Sequence, residues 1–115
     1  NSREIVRAVL SSLGVEGYFH QVLTSCDVKR GKPSPDIYLT CAEKLEVEPK
    51  NCLVFEDVVA GILAGKRANM QVCAIEDAHS ADMREEKKAL ADYYIKDYKN
   101  CQQWFVGGKN ENCNY

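Results

Sequence analysis

Gly31-Lys32-Pro33-Ser34-Pro35-Asp36 and Leu53-Val54-Phe55-Glu56-Asp57 are the two stretches that decide the fold of this chain. The first places Lys32 in a turn just before a helix, because proline favours both the turn and the first helical position. The second is an apolar run that ends on two acidic residues, as expected of a strand buried in a parallel sheet. The carboxyl ends of parallel strands share one edge of a sheet, so Lys32 and the acidic pair are predicted to meet there.

The residue types at this predicted edge suit a phosphate group and its magnesium ion. An ammonium group neutralises phosphoryl oxygens, and carboxylates are ligands that magnesium prefers. Three further segments are predicted to reach the same edge: Ser25–Lys32, Glu76-Asp77 and Asn1-Ser2, the last if a strand precedes the helix that they begin. This convergence predicts one composite site rather than separate motifs.

The composition is that of a soluble globular domain. The 115 residues form at most one domain, and 45% hydrophobic and 28% charged residues are ordinary values. A net charge of −2 and dispersed Lys and Arg residues argue against nucleic acid as a partner. No apolar run approaches the roughly 20 residues of a membrane helix, so no membrane partner is expected. The mixed charged run from Arg84 to Lys88 is predicted to be a solvated helix face.

The six cysteines are predicted to be reduced. They are Cys26, Cys41, Cys52, Cys73, Cys101 and Cys113. Four of the six lie inside apolar runs, as buried free thiols do, and no pair has the Cys-x-x-Cys spacing of zinc or redox sites. Reduced thiols favour a cytoplasmic location.

Helices and strands are predicted to alternate along the chain. The predicted strands are Gln21–Thr24, Cys52–Phe55, Gln71–Ile75 and Tyr93–Ile95, and the predicted helices begin near Ser2, Ser34, Val59 and Ser80. This alternation predicts a Rossmann-like three-layer α/β/α sandwich with a parallel sheet. Residues 1–99 would form this core, and 100–115 would form a polar C-terminal tail.

The first helix is predicted to bury one apolar stripe. The stripe repeats at helical spacing and consists of Ile5, Val6, Val9, Leu10 and Leu13. Ser2 is predicted to cap the start of this helix, and Gly14 to end it. Asn69 is predicted to end the third helix, because asparagine tolerates the left-handed conformation.

The lysine and acidic runs resemble two motifs of the haloacid dehalogenase superfamily of phosphohydrolases. The closest branch is that of the β-phosphoglucomutase-like sugar-phosphate phosphatases and mutases. Lys29–Tyr38 is similar to the lysine motif of that branch, and Phe55–Ile62 is similar to its acidic metal motif. The resemblance extends from Ser2 to about Tyr98. It implies a Rossmann-like core, magnesium dependence and an aspartyl-phosphate intermediate.

The resemblance assigns a role to each matching residue. Lys32 matches the lysine that bridges the nucleophile and the transferring phosphoryl group. Asp57 matches a magnesium ligand, and Glu56 matches its partner in the acidic pair. Asn1 and Ser2 resemble residues just after a further motif, which implies phosphate binding at the start of the first helix; for Ser2, helix capping alone is equally open.

The resemblance also implies what lies outside this chain. The family's attacking aspartate, the acid/base aspartate two residues after it and the helical cap domain have no counterpart between Asn1 and Tyr115. The chain is therefore expected to be the C-terminal part of an incomplete core domain, inactive on its own. Val58 stands where close relatives often carry serine, which removes a hydroxyl near the metal.

The implied function is a magnesium-dependent phosphatase for a small phosphorylated metabolite, such as a sugar phosphate. A β-phosphoglucomutase-like phosphomutase is an alternative, and a non-catalytic interaction domain on the same scaffold is another. A phosphoacceptor receiver domain is disfavoured, since its acceptor aspartate precedes its Lys-Pro pair, whereas Lys32-Pro33 here precedes Asp57. The complete protein is expected to be a cytoplasmic monomer.

Overall fold

The computed structural model describes residues 2–99, apart from the side chain of Ser2, and has an α/β fold. The helices are α1 (Ser2–Ser12), α2 (Asp36–Leu45), α3 (Val59–Arg67) and α4 (Arg84–Leu90). The strands are β1 (Leu53–Glu56), β2 (Gln71–Ile75) and β3 (Tyr93–Ile95). Short 3-10 turns lie at Glu16–Tyr18, Ser25–Asp27, Pro49–Asn51 and Ala78–Met83. Asn1 and the predicted tail, 100–115, lie outside the described residues.

The three strands form one parallel sheet in the order β1-β2-β3. Val54 of β1 lies opposite Val72 of β2, and Cys73 of β2 lies opposite Tyr93 of β3. The predicted parallel α/β fold is therefore confirmed. Since all strands run in the same direction, the carboxyl ends of β1 and β2 share one edge, where Glu56 and Glu76 lie.

The core lies between one face of the sheet and the helices α2, α3 and α4. Its buried members come from alternate positions of the strands, from the facing helices and from the turn between α3 and β2: Ala42, Val54, Ile62, Ala68, Met70, Val72, Ala74 and Tyr94. Helix α3 approaches the sheet closely at Gly65. A Cβ atom at this position would lie only 2.6 Å from Val72 Cγ2. This close packing holds α3 against β1 and β2.

Most predicted boundaries agree with the structure to within one or two residues. Gly14 (φ 71°) and Asn69 (φ 62°), the two residues predicted to end helices, both adopt the left-handed conformation. Helix α2 begins at Asp36, whose amide donates to Ser34 Oγ at 3.4 Å. Helix α1 already includes Ser2, so Ser2 lies inside the helix rather than at the cap position predicted for it.

The predicted strand Gln21–Thr24 is wrong. Thr24 has an extended backbone (φ −129°, ψ 174°), but the segment pairs with none of the three described strands. A strand requires a ladder of backbone hydrogen bonds to a neighbour. Here the polar groups bond locally instead, because Thr24 Oγ1 accepts from the Cys26 amide and Asp27 Oδ2 accepts from the Thr24 amide.

The predicted burial of the apolar stripe on α1 is wrong for three of its five residues, whereas Val6 and Leu10 are partly buried. Ile5, Val9 and Leu13 are 66%, 51% and 68% exposed. The helix packs mainly against the turns Glu16–Tyr18 and Ser25–Asp27, which are too short to cover its apolar side. Helical spacing predicts which side chains favour burial but does not supply the surface that buries them.

Two further predictions need correction in the last helical segment. Ser80 has non-helical torsions, so a 3-10 turn over Ala78–Met83 precedes α4 and the predicted continuous helix from Ser80 does not form. The run from Arg84 to Lys88 was predicted to be a solvated face, yet Lys87 is only 1% exposed. Lys87 has carbonyl and hydroxyl acceptors, which is how a lysine can be buried.

The remaining composition-based predictions concern cysteines and membranes. Cys41 and Cys52 are free thiols, as predicted, and Cys101 and Cys113 lie outside the described residues. Between residues 2 and 99 no helix has the length and apolar character needed to cross a membrane.

Candidate functional site

Lys32 and Glu56 meet in the folded chain, as the sequence predicts. The Lys32 ammonium donates to Glu56 Oε1 at 2.5 Å, joining the turn before α2 to the end of β1. The Glu56 side chain is only 10% exposed, whereas that of Lys32 is 36% exposed. The buried carboxylate therefore holds a cation that stays partly exposed beside the end of β1.

Tyr38 is a third member of this cluster. Its hydroxyl donates to Glu56 Oε1 at 2.8 Å, and the Lys32 ammonium lies 5.4 Å from its ring centroid. Burial, followed by the hydrogen bond to Glu56, raises the pKa of Tyr38 well above its usual range. The hydroxyl is thus a permanent donor to Glu56. Tyr38 belongs to the lysine motif, but no role is predicted for it from the sequence.

Gly61 leaves space for the Glu56 carboxylate. A Cβ atom at this position in the first turn of α3 would overlap Glu56 Oε2. That oxygen is buried and has no hydrogen-bond partner among the described residues. A buried carboxylate oxygen without a partner is unusual and costly, which is typical of functional sites. Gly61 belongs to the acidic motif, and this contact explains why a glycine is needed there.

The turn that carries Lys32 is fixed from two sides. The Arg67 guanidinium, at the end of α3, donates to the Pro33 carbonyl at 3.1 Å. Arg30 binds both carboxylate oxygens of Asp36, at 3.0 and 3.1 Å, and this pairing lowers the pKa of Asp36. Lys32 therefore lies in a turn that these contacts hold in place.

Asp57 directly follows β1 and is exposed. Its backbone carbonyl accepts a hydrogen bond from Ser80 Oγ at 3.3 Å, so the turn after β2 supports the turn after β1. A cleft of about 220 Å³ opens here, and four acidic residues at the two strand ends line it together with Phe55, Ile75 and Tyr98. The acids are Glu56, Asp57, Glu76 and Asp77.

Glu56 and Asp57 fit part of a magnesium site. Carboxylate oxygens are suitable ligands, and proteins usually hold magnesium with one or two carboxylates plus water and substrate phosphate. Within residues 2–99 no group of three or more potential ligands could enclose a metal by itself. The exposed Asp57 carboxylate and the partner-free oxygen of Glu56 therefore match an open site rather than a closed protein cage.

The phosphate contacts predicted for Asn1 and Ser2 fall outside what the structure describes, since Asn1 and the Ser2 side chain are not covered. Helix α1 is nevertheless linked to the turn Ser25–Asp27, because Arg3 forms an ion pair with Asp27. Of the predicted site residues, the described ones therefore lie at or beside the end of β1: Lys32, Glu56 and Asp57.

Comparison with known proteins identifies the family. The family model for haloacid dehalogenase-like hydrolases matches residues 1–69, which include both motifs. This chain belongs to the haloacid dehalogenase-like hydrolases. The receiver-domain alternative is thereby excluded, and the predicted β-phosphoglucomutase-like branch is confirmed by the relatives of this chain.

Three relatives of known name share substantial sequence with the chain. A validoxylamine A 7'-phosphate phosphatase from Streptomyces hygroscopicus subsp. limoneus is 39% identical over 91% of this chain and 47% of its own length. A fructose-1-phosphate phosphatase from Escherichia coli (strain K12) is 44% identical over 57% of this chain and 35% of its own. A beta-phosphoglucomutase from Bacillus subtilis (strain 168) is 42% identical over 54% of this chain and 27% of its own.

The fold agrees with solved structures of the same family. A haloacid dehalogenase family hydrolase from Deinococcus radiodurans R1, solved with bound phosphate and sodium, superposes with a TM-score of 0.74 and 25% identity. The match covers 86% of this chain and 45% of that protein. The chain thus spans about half the length, or less, of the relatives that it matches.

Proposed function

We propose that the protein is a magnesium-dependent phosphatase acting on a small phosphorylated metabolite, such as a sugar phosphate. The observation that carries this proposal is the Lys32–Glu56–Tyr38 cluster at the carboxyl end of β1, immediately before the exposed Asp57. The names of the relatives support it, since two of them are phosphatases of phosphorylated small molecules.

Lys32 would act on the charge of the transferring phosphoryl group. Glu56 holds its ammonium in place, so little reorganisation is needed when negative charge develops on the phosphoryl oxygens. Tyr38 supports this arrangement through its hydrogen bond to the same Glu56 oxygen. A fixed cation aimed at developing charge is among the larger contributions to phosphoryl transfer.

Asp57, together with Glu56, would hold the magnesium ion. When bound, the ion neutralises phosphoryl charge and orients the phosphate. Asp57 is suited to this task because its carboxylate is exposed beside the cleft while its backbone is supported by Ser80. The family resemblance implies an attacking aspartate outside these residues, on which an aspartyl-phosphate would form. Asn1 and Ser2 would add phosphate contacts at the start of α1.

A phosphomutase is the second candidate, favoured by the beta-phosphoglucomutase relative. In both activities the phosphoryl group is first transferred to a carboxylate. They differ in whether water or a sugar hydroxyl then receives it. A non-catalytic role of the scaffold is disfavoured. Burying a charged carboxylate beside a lysine costs free energy, which a site without function would have no reason to retain. A monomeric state and a cytoplasmic location belong to the same proposal.

The proposal is tested with the longest natural form of the protein. A panel of phosphorylated metabolites is incubated with the enzyme in the presence of magnesium, and again with excess EDTA. We expect release of inorganic phosphate from at least one sugar phosphate, abolished by EDTA and restored by added magnesium. Conversion to an isomeric sugar phosphate without phosphate release would support the mutase instead. No turnover of any phosphoester would overturn both.

A further inference from the structure

Lys87 is a buried lysine that none of the proposed steps uses. It lies on α4 and is 1% exposed. Its ammonium donates to the Ile75 carbonyl at 2.6 Å and to Ser80 Oγ at 3.4 Å, and it lies 5.8 Å from the ring centroid of Tyr94. Lysine is almost never fully buried unless its charge is satisfied. Each of these contacts therefore constrains where the ammonium can lie.

The contacts of Lys87 lead toward the site. Ile75 is the last residue of β2, and Ser80 belongs to the turn that follows it. Ser80 Oγ in turn donates to the backbone carbonyl of Asp57 at 3.3 Å. An uninterrupted series of hydrogen bonds thus runs from the Lys87 ammonium through the Ser80 hydroxyl to the main chain of Asp57.

Helix α4 is fixed relative to this strand end by a second contact. Arg84 forms an ion pair with Glu76 at 2.5 Å, directly after Ile75. Arg84 and Lys87 are three residues apart and so share one face of the helix. Both therefore hold the end of β2, but only Lys87 is connected through Ser80 to Asp57.

We propose that Lys87 and Ser80 are positioning residues for Asp57. The Lys87 ammonium donates a hydrogen bond to Ser80 Oγ. The hydroxyl hydrogen of Ser80 is thereby directed to the Asp57 carbonyl. The Asp57 main chain is thereby fixed, and with it the carboxylate that the proposed function assigns to magnesium. The inference rests on that proposed function. It predicts that magnesium affinity depends on two residues that do not touch the ion.

The experiment measures magnesium binding by titration calorimetry in the longest natural form of the protein, beside its free energy of unfolding in urea. The variants are Ser80→Ala, Ser80→Thr, Lys87→Met and the double variant Ser80→Ala/Lys87→Met. Lys88→Met is the matched control, because Lys88 is exposed on the same helix and also lies over the Tyr94 ring, at 5.2 Å.

We expect Ser80→Ala and Lys87→Met each to weaken magnesium binding about tenfold, a typical effect of losing a residue that supports a metal ligand. Ser80→Thr should keep parent affinity because it retains the hydroxyl, and Lys88→Met should also match the parent. Because the two residues act through one series of bonds, the double variant should be no weaker than Lys87→Met alone.

Three outcomes would overturn the inference. Parent affinity in Ser80→Ala would show that the hydroxyl does not position Asp57. Parent affinity in Lys87→Met with a lowered free energy of unfolding would show a purely structural lysine. Failure of the parent protein to bind magnesium would overturn the inference together with the proposed function, which distinguishes that case from the other two.

Discussion

The ammonium of Lys32 lies 2.5 Å from Oε1 of Glu56, and this pair joins the turn before α2 to the end of β1. The two residues are 24 positions apart in the sequence, so the folding of the chain brings them together. Glu56 is mostly buried and Lys32 is partly exposed, which leaves the cation available to an anion at the sheet edge.

Replacing Lys32 by methionine should lower phosphatase turnover by a factor of about 100 to 1000, the usual effect of removing one group that stabilises transition-state charge. Methionine keeps most of the length of the side chain but removes its charge. Steady-state kinetics with a phosphoester substrate would measure the effect. Lys29→Met is the control, because Lys29 is an exposed lysine of the same loop. Equal effects of both substitutions would contradict the role given to Lys32.

Gly61→Ala should disturb the site although Gly61 carries no functional group. The added methyl would overlap Glu56 Oε2, so the carboxylate would have to move away from Lys32 and Tyr38. A displacement of about 1 Å at a catalytic group can lower the rate on the order of 100-fold. Gly17→Ala provides the control, since a Cβ atom there has open space. Unchanged turnover in Gly61→Ala would show that Glu56 tolerates displacement.

Tyr38→Phe should change how steeply the free energy of unfolding falls at alkaline pH. The pKa of Tyr38 is raised in the folded protein by burial and by Glu56, whereas an unfolded tyrosine ionises near pH 10. Above about pH 10 the unfolded chain loses this proton while the folded chain keeps it, so the free energy of unfolding falls as pH rises. Phenylalanine cannot ionise, so the variant should lose less stability over this range.

The measurement is urea denaturation of parent and variant at several pH values from neutral to about pH 11. At neutral pH, Tyr38→Phe should lower the free energy of unfolding by about 1 kcal/mol, because it loses the bond to Glu56. Tyr18→Phe is the control, as Tyr18 is 81% exposed. Parallel pH curves for parent and Tyr38→Phe would contradict the raised pKa.

The elements that could be predicted from sequence are those with a strong local signal. The apolar runs before Glu56 and over Gln71–Ile75 gave strands at the predicted places, and Asn69 ended its helix as expected. The paired motifs also sufficed to predict that Lys32 would lie at the end of β1. In each case the signal lies within a short stretch of chain.

The elements that sequence reasoning missed depend on contacts between distant segments. The stripe on α1 has helical spacing, yet the described residues leave three of its five members exposed. Gln21–Thr24 has the composition of a strand but no neighbour to pair with in the described sheet. Tyr38 and Lys87 resemble ordinary helical residues until the packing of α2 and α4 brings them to Glu56 and Ser80.

The most direct test of the phosphatase account is the magnesium-dependent turnover of Asp57→Asn in the longest natural form of the protein. The substitution preserves shape but removes the charge that would hold the ion, and Asp82→Asn supplies an exposed control of the same type. The account predicts that Asp57→Asn lowers turnover at least about 100-fold while Asp82→Asn matches the parent. Parent turnover in Asp57→Asn at every magnesium concentration would contradict it.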